Sequence, residues 1–177
     1  MNYLVKIMNS KIKATQLHKQ YFDLAYTKMV DCINQSFSSS EEESQRAEAH
    51  LTIHSCLHAL LNYYERLRFA PNFISSTETV NYMDAFRLAN DKLKHDPSLI
   101  NSAKIVNSFT LPIMFPIKLG MHYHWGELKD FIDEKRPKDP KRYEQYKRLL
   151  QEKEVRCTFQ IIKKLLENSN EDIDLNI

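Results

Sequence analysis

A-H-L-T-I-H-S-C-L-H-A-L-L-N-Y-Y-E-R-L-R-F-A-P, residues Ala49 to Pro71, decides the fold class. Its apolar residues Ala49, Ile53, Cys56, Leu57, Leu60, Tyr64 and Leu67 recur at spacings of three and four, the period of a helix with one buried face. Pro71 ends the pattern, because its ring lacks an N–H and clashes with the preceding turn. Upstream stands S-S-S-E-E-E, in which Ser40 and Glu43 have the spacing of a capping box and the added carboxylates suit a helix N-terminus. The spacing predicts a helix from about Glu41 to Phe69.

Further helices flank this one. Leu17, Tyr21, Leu24, Ala25, Met29 and Ile33 predict a first helix from about Lys11 to Phe37 with those residues on its core face. After P-N-F-I-S-S, Ser75 and Glu78 form a second capping box, opening a helix from about Thr77 to His95. Its core face is Tyr82, Ala85, Phe86, Ala89 and Leu93, and Asp96-Pro97 stops it. From Ala103 to Tyr123 the texture changes to β-branched and aromatic residues with Pro112 and Pro116, which reads as a short hairpin or irregular extended insertion. A short helix fits Trp125 to Glu134. Asp139 as N-cap with Pro140 at the first helical position opens a last helix to about Glu167, with Tyr143, Tyr146, Leu149, Leu150, Val155, Phe159, Ile162 and Leu166 in its stripe. The expected architecture is an all-α bundle of four to five helices with one insertion around residues 103–123, in a single domain over residues 1–170 with a flexible tail over 171–177.

Composition agrees. With only 2 glycines in 177 residues, the tight turns that hairpin-rich folds depend on are scarce. A net charge of +2 gives no global drive toward nucleic acid, although Lys6, Lys11, Lys13 and Lys19 precede any acid. Cys32, Cys56 and Cys157 are widely spaced and form no CxxC pair, so they read as reduced, small apolar core residues of a cytoplasmic protein. No run reaches the length of a membrane span. Neither a P-loop, a G-x-G-x-x-G nor a G-x-S-x-G is present, which argues against the nucleotide and serine hydrolases built on them.

Chemistry concentrates in the third helix. On a wheel, Asp84, Arg87, Asp91 and His95 form one polar row opposite the core, with Val80 and Leu88 beside it. Apolar residues on an outward face predict a second burial surface, such as a partner subunit. The plain reading is an Arg87–Asp91 surface pair, with His95 capping the last carbonyls. The chemical reading uses the Arg87 fork for phosphate and His95 for proton transfer, with Asp91 orienting the imidazole.

The run A-F-R-L-A-N-D-K-L-K-H, preceded by H-x-x-x-H-A-L-L-N-Y-Y-E-R-L-R, resembles the HEPN superfamily of prokaryotic helical-bundle proteins. That resemblance implies a metal-independent endoribonuclease without cofactor, working as a homodimer in toxin–antitoxin or antiphage defence, with RNA as substrate and an antitoxin as a possible partner. The family motif is an Arg, usually followed by a polar residue, with a His after four to six intervening positions. Here seven residues separate Arg87 from His95, and Asn90 with Asp91 stands at the commonest spacing. His95 therefore transfers directly; Arg87, Asn90 and Asp91 transfer as alternatives. A helical bundle with no working Arg–His pair, binding a protein or nucleic acid, is the other expectation.

Three other groups have both a chemical and a plain reading. His50, His54 and His58 lie one turn apart and suit a transition metal, yet no third ligand stands at a diagnostic spacing, so packing at the core edge is preferred and no metal site is assigned. The same row could instead face the polar row of the third helix. In M-H-Y-H-W, an extended backbone puts His122 and His124 on one face and Tyr123 and Trp125 on the other; base stacking is conceivable, but a hairpin anchor is preferred for the tryptophan. Lys135, Arg136, Lys138, Lys141, Arg142, Lys147 and Arg148 are interspersed with acids and read as a solvated helix face before a phosphate-binding rim.

Overall fold

The computed structural model describes residues 2–35, 39–70, 73–105, 120–128 and 139–169. Among them are α1 (Asn2–Asn34), α2 (Glu42–Leu67), α3 (Thr77–Leu93), β1 (Ile100–Ile105), β2 (Gly120–Trp125), α4 (Pro140–Leu149) and α5 (Val155–Asn168). The chain is thus a helical bundle with one antiparallel two-stranded hairpin inserted between α3 and α4. Pro112, Pro116, Lys135, Arg136, Lys138, the expected helix over 129–134 and the expected tail over 171–177 lie outside the described residues.

The α2 stripe is buried as its period predicts, from Ala49 to Leu67. It packs against α1, where Phe22, Met29, Cys32 and Ile33 form the contact face. Leu17, Tyr21 and Leu24, expected in the core, are exposed instead. The cause is geometric: each step of four residues advances about 40° around a helix, so a series linked mainly by fours winds from the solvent face to the core face. Only its end, Met29 and Ile33, reaches the interior. Gln45, buried on α2, donates to the Cys32 carbonyl at 2.6 Å, a second bond on an acceptor that also takes the Gln35 N–H at 3.3 Å where α1 ends. Lys163 on α5 pairs with Asp23 on α1 and lies 5.3 Å from the Tyr26 ring, fastening the last helix to the first.

Caps differ in detail from expectation. α3 opens at Ser76, whose side chain accepts from the Thr79 N–H at 3.0 Å, while Ser75 pairs its hydroxyl with that of Tyr64. α2 opens from Glu41, whose side chain makes no cap bond, after a 3₁₀ turn over Ser39–Glu41. Asp139 caps α4 as predicted, accepting from the Arg142 N–H at 3.1 Å with Pro140 in the first turn.

The hairpin is the joint of the molecule. Ile100 pairs with Trp125 and Ser102 with Tyr123, which sends Met121, Tyr123 and Trp125 inward and His122 and His124 outward. Trp125 ends β2, where a helix start was expected, and donates from Nε1 to Thr158 Oγ1 at 2.9 Å while its ring meets Phe86 and Phe159. It is the hairpin anchor. Gly126 follows with its N–H 2.6 Å from the Leu99 carbonyl; a Cβ there would sit 3.0 Å from that oxygen, so any larger residue would push the two backbones apart by a few tenths of an ångström.

The same joint divides the expected last helix. Between α4 and α5 the chain turns at Glu152, whose φ of 62° no helix tolerates, and its N–H donates to the Trp125 carbonyl at 2.8 Å. The Trp125 N–H returns a bond to Lys153 at 3.0 Å, and the Tyr146 hydroxyl closes on the Gly126 carbonyl at 2.8 Å. Four strong helix formers, Gln151 to Glu154, are thereby taken out of helix by pairing with the hairpin end. One consequence is the register of α5, which buries Val155, Thr158, Phe159, Ile162 and Leu166 and leaves Cys157 exposed rather than in the core. Cys32 and Cys56 are buried and free.

Candidate functional site

Along α3 the polar row divides into two halves with different surroundings. Asp84 is 8 % exposed and Arg87 half-buried. Arg87 bonds Asp84 Oδ1 at 3.3 Å through Nη1, bonds Glu65 of α2 through Nη2, and lies 5.6 Å from the centre of the Tyr64 ring. Lys141 of α4 takes the other oxygen of Asp84 at 3.0 Å. Four charges from three helices therefore neutralise one another. The second burial surface that the sequence implied is, for these residues, the chain's own α2 and α4; Leu88 packs against the core as well.

The second half lies at and beyond the end of the helix. Asp91 and Lys94 are exposed and pair at 3.4 Å. His95 is exposed and belongs to the turn after α3, where its N–H bonds the Lys92 carbonyl at 2.9 Å. The helix ends before His95 because Asp96 caps the next 3₁₀ turn through Ser98 N–H at 2.9 Å, with Pro97 inside it. The eight steps from Arg87 to His95, at 1.5 Å each, amount to about 12 Å of helix rise. The two are not brought together within the chain. Asn90, on the inner side of the row, is 6 % exposed, and its Oδ1 is buried without a hydrogen-bond partner.

The histidine row of α2 reaches this end. His50 and His54 are half-buried and His58 exposed, so the row drifts outward from the core edge as its spacing predicts. The Nε2 atoms of His50 and His54 are buried without a partner. Burial, followed by the charge of Arg46, holds His50 below the ordinary histidine value; burial, then His58 and Lys94, does the same for His54. The His50 ring stands edge-on to Tyr123 of β2 at 6.3 Å. Among the described residues no three His, Cys, Asp or Glu side chains gather in a way that holds a metal ion.

On α4 the basic residues are mostly engaged locally. Arg142 pairs with Asp139 at 3.1 Å, Arg148 bonds Gln145 at 2.8 Å, and Lys147 lies 5.7 Å from the Tyr143 ring centre. This is the solvated helix face of the plain reading. Sequence reasoning missed Glu65 and Lys141 as partners of the α3 row, since nothing in a single chain announces which helix will face which. No family model, curated protein or solved structure matches the chain. Among the described residues no helix is long and apolar enough to cross a membrane.

Proposed function

We propose that this chain is a HEPN-like helical protein that binds RNA without cleaving it, through the exposed end of α3 that carries Lys94 and His95. The observation that carries this reading is the state of Arg87. A phosphate-holding arginine needs a free fork, and this one already serves two carboxylates and an aromatic face. Releasing it would leave Asp84 buried with Lys141 as its remaining cation. His95, by contrast, is exposed and needs no rearrangement to meet a phosphate. Proton transfer to or from a 2′-hydroxyl demands both groups at one phosphate, whereas electrostatic binding demands only the exposed cations. Dimerisation through the α3 ends, as the resemblance implies, would set two such ends side by side and lengthen the surface available to a backbone.

The test is fluorescence anisotropy with a labelled single-stranded RNA, in EDTA, with the RNA then run on a denaturing gel. Binding that weakens with salt, weakens further in Lys94→Gln and His95→Gln, and leaves the RNA intact supports the reading. Absence of binding at low salt overturns it. Cleavage in EDTA that disappears in His95→Ala also overturns it, in favour of the ribonuclease.

A further inference from the structure

Among the described residues, the buried polar atoms without partners are His50 Nε2, His54 Nε2 and Asn90 Oδ1. Two of the three belong to groups that gain a proton just below neutrality, and one of those, His50, lies in the seam between α2 and the hairpin. The face of the hairpin that meets the bundle is made of Met121, Tyr123 and Trp125. Trp125 is held by Thr158, Lys153 and Glu152 at one end. The Tyr123 end is held by packing and not by hydrogen bonds to the helices: the Tyr123 hydroxyl turns back to the Met121 thioether Sδ at 3.4 Å, its ring meets His50, and β2 packs on α1.

The groups acting on the two imidazoles oppose protonation. On His50 the neighbouring charge is Arg46 of α2, and the facing titratable groups are Tyr123 of β2 and, behind it, Cys32 of α1, both neutral thereabouts because burial pushes Tyr123 up to about 12 and Cys32 upward. On His54 they are His58 of α2 and Lys94 of α3. A proton placed on His50 thus gains no carboxylate and must take its solvation from water, while Nε2 is buried without a partner in the packed seam.

We propose that the contact of His50 with Tyr123 is an acid-sensitive clasp: protonation of His50, reinforced by His54, loosens the Met121–Tyr123 end of the hairpin from α2 while the helices stay packed. The sign follows from linkage. The folded state favours neutral histidine, so stability is full above the free-histidine value and falls as pH drops through it toward the lowered folded value. The loss is local because Trp125 and the turn at Glu152 hold the opposite end, and local opening costs less than global unfolding.

Hydrogen exchange measured by mass spectrometry, corrected for the intrinsic rate at each pH, tests the clasp on the full chain. Between about pH 7.5 and about pH 5.5, protection of peptides covering Ser102 and Tyr123 is expected to fall roughly threefold to tenfold, with protection in α2, α3 and α5 retained. His50→Phe should remove most of that fall. The paired change His122→Gln with His124→Gln should keep it, although these outward rings, 6.1 Å apart, repel each other when charged. The proposal is overturned by hairpin protection that does not change with pH, by an equal fall in His50→Phe, by a fall that disappears only in the His122/His124 variant, or by loss of helix protection in parallel. Should His50→Phe fold poorly, His50→Gln, which stays neutral across the range, takes its place.

Discussion

Two polar sets lie at the edges of the same bundle and are treated in opposite ways. In the cluster of Glu65, Asp84, Arg87 and Lys141, every charge meets an opposite one, drawn from three helices. In the row of His50 and His54, the Nε2 atom of each imidazole is buried without a hydrogen-bond partner. A charge removed from water without compensation is too costly to persist, so the first set had to be satisfied inside the fold. A neutral imidazole can be left unsatisfied at a smaller cost, and the cost rises when it gains a proton. The second set is therefore where a proton gained below neutrality weighs on the fold.

The largest effect is expected at Arg87. Arg87→Met removes the guanidinium from Tyr64 and leaves the buried Asp84 carboxylate with Lys141 as its one cation, and should cost about 2 to 3 kcal/mol, less than a fully buried pair because Glu65 remains well exposed. Urea unfolding at neutral pH measures it. Adding Asp84→Asn should recover part of the loss, since the half-compensated buried charge is then gone. A cost no greater than that of an exposed pair would show that the cluster is not what ties α2, α3 and α4 together.

The histidine row should give a smaller effect, visible only against pH. The urea midpoint of the wild type is expected to fall on acidification through the free-histidine range, and the double variant His50→Phe with His54→Leu to flatten that dependence while leaving Arg87→Met as costly as before. Coupling between the two sets would break the contrast drawn between them.

What the sequence made legible separates along the same division. The core face of α2 and of α3, the proline-led start of α4, the outward histidines of β2 and the anchoring tryptophan follow from period, cap chemistry and pleat, which are local. The break at Glu152 does not: Gln151 to Glu154 favour helix, and only the amide and carbonyl of Trp125, distant in sequence, turn them out of it. Nor could the wheel of α3 show that Asp84 and Arg87 face other helices, because an ionisable row opposite one core looks the same whether water, a partner or the chain's own α2 and α4 covers it. Leu88 packs against the chain's own core, and Val80 is half-buried. Of the candidate catalytic residues, His95 is where a surface group should be, Asp91 is beside it, and Asn90 is inside.

Asn90 bridges the two sets in kind, being buried and uncharged with one acceptor unused. Asn90→Leu removes that acceptor at the cost of a change in shape, and thermal or urea unfolding should find it neutral or stabilising by up to about 1 kcal/mol. A loss of more than that would mean that the amide makes a bond the fold depends on, and the position would join the Arg87 cluster.

The smallest effect belongs to the end of α3, and its smallness is informative. Asp91 and Lys94 are both about half exposed and three residues apart, so their pair is screened by water and Asp91→Asn should change stability by less than about 0.5 kcal/mol. The same substitution removes the anion closest to Lys94, and so should tighten RNA binding if this end is the docking surface. His95→Gln should likewise leave stability unchanged and weaken binding. Stability and binding thus move together at Arg87, where the fold is at stake, and part company at Asp91 and His95, where only the surface is. If Asp91→Asn leaves anisotropy titrations unmoved at low salt, the cationic end does not meet phosphate, and the exposed half of the α3 row is solvated surface with no role in binding.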